Sequence, residues 1–179
     1  MTQMKRRHFL QFAGSALATL GLSTLDLQQQ ASRYGGVLAQ GTPRKLALLV
    51  GINEYPKSKR FSKLEGCLTD VELQRHLLIH RFGFNHSDIE ILTDAQATRD
   101  GVVTAFQEHL INQARPGDVV VFHFSGHGSR IVDRNPIDSS GLHSTLVMAD
   151  DATTEEIVDD IPGQMLYLMM AELAKKTET

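Results

Sequence analysis

The stretch that decides the fold is DVVVFHFSGHGS, residues 118–129. Its apolar run, 119–124, predicts a strand buried on both faces, and the small residues that follow predict a tight turn. His127 lies in that turn between Gly126 and Gly128. An open α/β sheet places its chemistry at the carboxyl ends of parallel strands. His127 is therefore the first candidate functional residue.

Apolar periodicity on both sides of this strand predicts alternating strands and helices. Strands are predicted over 45–52 and 88–93, and helices over 70–81, before Gly83, and from the N-cap Thr98 to 116–117. Residues 130–144 predict a loop, and the final helix has an apolar stripe formed by Met165, Leu166, Met169 and Leu173. The order predicts an α/β fold with a parallel sheet flanked by helices on both faces. No strand follows the last helix, so we expect the sheet to be incomplete at its C-terminal side.

Composition narrows the function classes. The chain has 179 residues, 41% hydrophobic residues and a formal net charge of −3. That charge gives no basic footprint for nucleic acid. Cys67 is the only cysteine, which excludes an internal disulfide framework and a cysteine-rich zinc site.

The N-terminal residues 1–39 predict an export signal and linker, followed by one domain over 40–179. Lys5, Arg6 and Arg7 precede an apolar stretch that reaches Leu22, which is typical of a twin-arginine signal. The alternatives are a disordered basic tail or an uncleaved anchor. Export would place the domain in the periplasm, outside the cell or in a thylakoid lumen, without membrane attachment after signal removal.

Four segments together resemble one family. They are LALLVGINEY (46–55), LEGCLTDVELQRHLLIHRFGF (64–84), VVVFHFSGHGS (119–129) and IVDD (157–160). In this order they resemble caspase-fold cysteine peptidases, most of all the metacaspase and orthocaspase branch. The resemblance implies a caspase-like sheet with strand order 2-1-3 and a cysteine-type endopeptidase activity on peptide or protein substrates.

His127 and Gly128 match the family's catalytic positions. By resemblance, His127 is the general base that deprotonates a cysteine thiol, a task suited to imidazole because its pKa lies near neutral. Gly128 is the oxyanion-hole donor through its backbone N–H. The alternative for His127 is a loop histidine bonded to a backbone carbonyl. His123, within the strand, is predicted to be a packed core residue.

Two acidic sites also match the family, one at Asp70 and one at the pair Asp159 and Asp160. Asp70 matches the acid that selects Arg or Lys at the P1 position of the substrate, and its alternative is an N-cap of the 70–81 helix. Asp159 and Asp160 match paired aspartates of a calcium site, and their alternative is an N-cap of the last helix. His143-Ser144 stands where the family supplies a further acidic ligand, which argues against calcium activation.

The family's nucleophile lies in an Asp-x-Cys-His-Ser-Gly segment on the strand after the last helix. Cys67 matches instead an upstream second cysteine of the family, although a Cys67–His127 dyad is an alternative because a helix N-terminus can lower a thiol pKa. The sequence therefore predicts a truncated metacaspase-like domain, inactive unless a C-terminal chain complements it. The alternative is a non-catalytic caspase-fold binding or scaffold module.

Overall fold

A computed structural model describes residues 44–132, 141–152 and 159–178, together with positions 29, 32–33 and 35–36. The chain divides into two compact units, Met1–Gln40 and Gly41–Thr179. The described residues of the first unit are helical, and the rest of the predicted export signal lies outside the described residues. Among the helices that can be described, none is both long and apolar enough to cross a membrane.

The second unit alternates strands and helices before a small hairpin. Its elements are β1 (Lys45–Gly51), α1 (Cys67–Phe82), β2 (Ile89–Thr93), α2 (Arg99–Ala105), β3 (Val119–Ser125), β4 (Gly128–Val132), β5 (Leu142–Leu146), β6 (Ile161–Pro162) and α3 (Gly163–Thr177). A π-helical segment, Phe106–Ile111, continues α2. Short 3-10 turns flank β2 at His86–Asp88 and Asp94–Gln96.

The main sheet is parallel and has the order β2-β1-β3. Ala47 of β1 pairs with Ile89 of β2 and with Val121 of β3. The three predicted strands and their order are therefore confirmed. All three strands have their carboxyl ends at one edge, which is where the site residues lie.

Helices cover both faces of this sheet, as predicted. The even-numbered side chains of β1, such as Leu48, pack in one core with α2 and α3, where Phe106 meets Phe122 edge to face at 5.4 Å. On the opposite face, a Cβ at Gly51 would lie 2.6 Å from the Val71 side chain of α1. Only glycine allows α1 to approach β1 so closely, and this approach brings the start of α1 to the carboxyl edge of the sheet.

The predicted loop over 130–144 is wrong in its described part. Residues of β4 and β5 pair antiparallel, with Ser129 opposite Thr145, and β6 pairs with β5. The burial along β4 alternates between exposed and half-buried positions. A short hairpin with one face exposed to solvent contains few apolar residues. Its composition therefore resembles that of a loop.

Two of the N-caps considered from the sequence are wrong and one is confirmed. α1 begins three residues before Asp70, with Gly66 as its N-cap, and the Asn53 carboxamide oxygen accepts the Cys67 N–H at 3.0 Å. The N-cap of α3 is Pro162, because β6 separates Asp159 and Asp160 from the helix. Thr98 caps α2 as predicted and accepts a hydrogen bond from the Gly101 N–H at 3.0 Å.

Candidate functional site

The site is formed by two segments that leave adjacent strands at the carboxyl edge of the sheet. The turn 126–127 follows β3, and a longer segment, residues 52–66, connects β1 to α1. We call this segment the β1–α1 loop. Asp94, at the end of β2, fixes its start by accepting the backbone N–H groups of Asn53 at 2.7 Å and Glu54 at 3.0 Å. Asp94 has a φ of 43°, a conformation that is costly for a non-glycine residue and clusters at functional sites.

His127 lies against this β1–α1 loop. Its Nε2 is 2.8 Å from the Ser62 carbonyl oxygen, and its ring centroid lies 4.9 Å from that of Tyr55 and 5.0 Å from that of Phe61. A carbonyl oxygen can only accept a hydrogen bond, so in neutral imidazole Nε2 carries the proton and Nδ1 has the free lone pair. The loop therefore fixes which ring nitrogen of His127 can accept a proton.

The backbone N–H of Gly128 is not used in the pairing of β4 with β5. Gly128 faces Leu146 across the hairpin, and the Val147 N–H donates to the His127 carbonyl oxygen at 3.0 Å. In an antiparallel pair this pattern places Gly128 at a non-hydrogen-bonded position, so its N–H points away from β5. A Cβ at this residue would make only an ordinary 3.6 Å contact with Thr145. The fold itself does not demand glycine here, which leaves room for a role in binding.

Asp70 lies in the first turns of α1, next to the end of β3. Its Oδ2 accepts a hydrogen bond from the Ser125 hydroxyl at 2.7 Å, and the side chain is exposed. The predicted residue Asp70, on α1, is thus in direct contact with the end of β3. A carboxylate held in place at an open edge can bind a cationic group.

His123 is a partly buried residue of β3, on the same face as Ser125. Its Nε2 is buried and has no hydrogen-bond partner in the described part of the chain. Burial lowers the pKa of His123, and the nearby Asp70 carboxylate partly offsets this. The predicted role of a packed core residue fits the partial burial of His123. Its unpartnered Nε2 is unusual, because most buried polar groups form a hydrogen bond.

Cys67 begins α1 and is 6% exposed. In the ranges that the structure describes, its sulfur makes no hydrogen bond to either ring nitrogen of His127. The structure therefore does not bring together the Cys67–His127 dyad that the sequence left open.

Asp160 is fully buried beside the hairpin. Its Oδ2 accepts the Thr145 hydroxyl at 2.5 Å. Burial raises the pKa of Asp160, the Thr145 bond opposes that rise, and the neighbouring Asp151 carboxylate adds to it. Asp151 is also buried and accepts the Ser58 hydroxyl at 2.7 Å. Through Ser58, this acidic pair is connected to the β1–α1 loop that holds His127.

These carboxylates do not by themselves make a calcium cage. Ca²⁺ takes six to eight oxygen ligands, whereas the described ranges contain no group of three or more His, Cys, Asp or Glu residues arranged to hold a metal ion. His143, in β5, faces Ile131 of β4. The calcium site at Asp159 and Asp160 stays a prediction.

Sequence reasoning missed the residues that hold His127. Tyr55 and Ser62 contact it through a hydroxyl and a backbone carbonyl. A carbonyl contact has no residue-type signature, so Ser62 could not be found. Tyr55 lies in the loop that follows β1, at the same edge as His127, and that position was the available signal.

The chain resembles known proteins over its second unit. The profile of the family described as "Metacaspase, peptidase C14 domain" matches residues 45–178. Metacaspase-1 of Meyerozyma guilliermondii is 34% identical over 146 residues, which are 75% of this chain and 35% of that protein. Metacaspase-2 of Arabidopsis thaliana is 36% identical over 123 residues, 65% of this chain and 28% of that protein.

A solved structure of a protein from Geobacter sulfurreducens superposes with a TM-score of 0.58 at 23% identity. The superposition covers 73% of this chain and 46% of that one, and it supports the fold alone. The chain spans roughly a third of the length of the curated relatives named above.

Proposed function

The chain belongs to the metacaspase family, and from this premise we propose that it forms the histidine-bearing part of a cysteine endopeptidase that cleaves after Arg or Lys. His127 acts as the general base and Gly128 as an oxyanion donor, while Asp70 binds the P1 side chain. The orientation of His127 by the β1–α1 loop is the observation that carries this proposal.

The imidazole suits the base role because its tautomer is fixed. The Ser62 carbonyl accepts the Nε2–H at 2.8 Å, which leaves the Nδ1 lone pair to take a proton from a thiol and to return it to the leaving amine. The sequence left two interpretations of His127, a general base and a loop histidine bonded to a backbone carbonyl. The hydrogen bond to Ser62 is compatible with both.

The remaining groups complete a site for a peptide bond. The Gly128 N–H, directed away from β5, can stabilise charge that develops on the substrate carbonyl oxygen. Asp70, placed by Ser125 at 2.7 Å, offers a carboxylate for a guanidinium or ammonium group. The nucleophile in this proposal is a cysteine supplied by a complementing C-terminal segment, since the buried Cys67 is the only cysteine of the sequence.

The proposal is tested first by binding. An Arg-containing peptide, compared with the same peptide carrying citrulline, should shift the amide resonances near Asp70 and Ser125. Asp70→Asn should weaken this binding about 10-fold or more, the size of one charge-assisted hydrogen bond. Asp100→Asn, at an exposed acidic residue of α2, is the matched control. Equal binding of both peptides would contradict the P1 role of Asp70.

Activity gives the second arm of the same experiment. The purified chain should not hydrolyse Arg-P1 or Lys-P1 peptides, because His127 has no thiolate to activate. Turnover that disappears in Cys67→Ala would assign the nucleophile to Cys67 and contradict the proposal.

We also propose export through the paired arginines of the N-terminus. Arg6→Lys combined with Arg7→Lys should retain a fused reporter inside the cell, because twin-arginine recognition depends on both guanidinium groups. Unchanged export would assign the N-terminus to another pathway.

A further inference from the structure

Tyr55 is the first aromatic side chain of the β1–α1 loop. It is 5% exposed, and its ring lies between the main core and the imidazole of His127, 4.9 Å from the latter. A tyrosine buried this deeply needs a partner for its hydroxyl. That partner is found in the turn after β3.

The Tyr55 hydroxyl accepts the backbone N–H of His127 at 2.8 Å. On the other side of the same residue, the His127 carbonyl oxygen accepts the Val147 N–H at 3.0 Å. Both peptide units that flank the His127 Cα are therefore fixed, one by a side chain and one by the backbone. The direction of the imidazole and that of the following Gly128 N–H depend on these two units.

The turn 126–127 also lies in close contact with the Tyr55 hydroxyl. A Cβ at Gly126 would lie 2.7 Å from the Tyr55 Oη and 2.8 Å from the Phe124 ring, so only glycine fits here. Burial raises the pKa of Tyr55 to about 12, although the bond from His127 opposes the rise. The hydroxyl thus stays neutral at physiological pH and leaves no buried charge beside the site.

We propose that Tyr55 is a positioning residue, whose hydroxyl orients the His127 turn so that the imidazole Nδ1 and the Gly128 N–H face one substrate. This inference rests on the proposed function only for the roles of these two groups. The orientation itself is a property of the chain without substrate or nucleophile, and it can be measured there.

The test is amide hydrogen exchange by NMR in Tyr55→Phe, which keeps the ring and removes the hydroxyl. Exchange of the His127 amide should become roughly 2- to 13-fold faster, the ratio expected for one hydrogen bond. Exchange of the His123 amide, inside the β1–β3 ladder, should not change. Tyr167→Phe, at a 70% exposed residue of α3, removes the same atom as a control. The neutral His127 side chain should change from a single Nε2–H tautomer to a mixture only in Tyr55→Phe.

Gly126→Ala gives a second, independent probe. Its added Cβ would lie 2.7 Å from the Tyr55 Oη and would displace the hydroxyl from the His127 N–H. Its effect on the His127 amide should largely vanish in the Tyr55→Phe background, as expected for two changes that act through one contact. If neither variant folds, the wild-type chain still decides, since its His127 amide must exchange roughly 10-fold slower than in an unstructured peptide.

An unprotected His127 amide in the wild type overturns the proposal, as do equal rates in Tyr55→Phe and Tyr167→Phe. Equal acceleration of the His127 and His123 amides would show a merely structural role. None of these results depends on Arg binding or peptidase activity. Failure of the positioning role and failure of the proposed function are thus distinguishable.

Discussion

At the scale of single residues, the β1–α1 loop does more to define the site than the strand that carries His127. Tyr55, Phe61 and Ser62 all contact His127. In addition, the Arg60 guanidinium donates to the Ser129 hydroxyl at 2.8 Å. An imidazole held on several sides loses little freedom when substrate binds, which is the condition for efficient proton transfer.

His123 makes the stability of the domain pH-dependent. Burial lowers its pKa in the folded state below the ordinary value of 6.5, with Asp70 opposing the shift. Between the folded and unfolded pKa values the unfolded chain binds more protons, so stability rises with pH in that window. The stabilisation is present above about pH 6.5 and is lost as the pH falls through the lowered pKa.

We therefore expect His123→Gln to reduce the loss of stability between about pH 8 and about pH 5, measured as the midpoint of urea unfolding. His86→Gln, at an exposed histidine in the 3-10 turn before β2, should leave that loss as in the wild type. Asp70→Asn should extend the wild-type window to lower pH, because removing the carboxylate that favours the protonated imidazole lowers only the folded-state pKa. An unchanged pH profile in His123→Gln would contradict this account.

At the scale of elements, the sequence predicted the strands of the main sheet, which are buried on both faces. The central strands are continuous apolar runs because helices cover both faces of the sheet, and Leu46, Leu48 and Leu49 are fully buried. Helix ends were predictable where a side chain or a glycine makes the cap, as at Thr98 and at Gly83, whose φ is 69°.

The elements that were missed have no such signature. The β4–β5 hairpin is exposed on alternate residues, and α1 begins without a side-chain cap of its own. Leu73 of α1 is apolar, yet it is 63% exposed. A local pattern indicates which residues share a helix face, but not how much of that face the sheet covers.

The same limit applies to the site. His127 and Asp70 were predicted because the family motifs mark them, and the structure places them on the turn after β3 and on α1, both at the carboxyl edge of the sheet. Tyr55 and Ser62 act through long-range contacts of 72 and 65 residues in sequence separation. Such contacts depend on the tertiary arrangement of β1 and β3, which no local sequence pattern encodes.

At the scale of the whole molecule, β3 lies at an edge of the main sheet. In the described ranges it pairs with β1 on one side only. Val119 donates to Arg44 and Ser125 accepts from Ile52, so the odd-numbered backbone groups of β3 point toward β1. In a parallel ladder the even-numbered groups then point the other way, which leaves the N–H groups of Val120, Phe122 and Phe124 on the outer edge.

An apolar strand edge without charge or proline is a template for pairing with another strand. We therefore expect residues 40–179, expressed alone, to associate with increasing concentration in size-exclusion chromatography with light scattering.

The amides of Val120, Phe122 and Phe124 should exchange fast in dilute samples and become protected on association. Those of Val121 and His123, within the ladder, should be protected throughout. A gain in protection confined to the even-numbered residues would identify β3 as the contact, and a co-expressed C-terminal half of the domain should compete for it. A monodisperse monomer at all concentrations would contradict the open edge and favour a self-sufficient module.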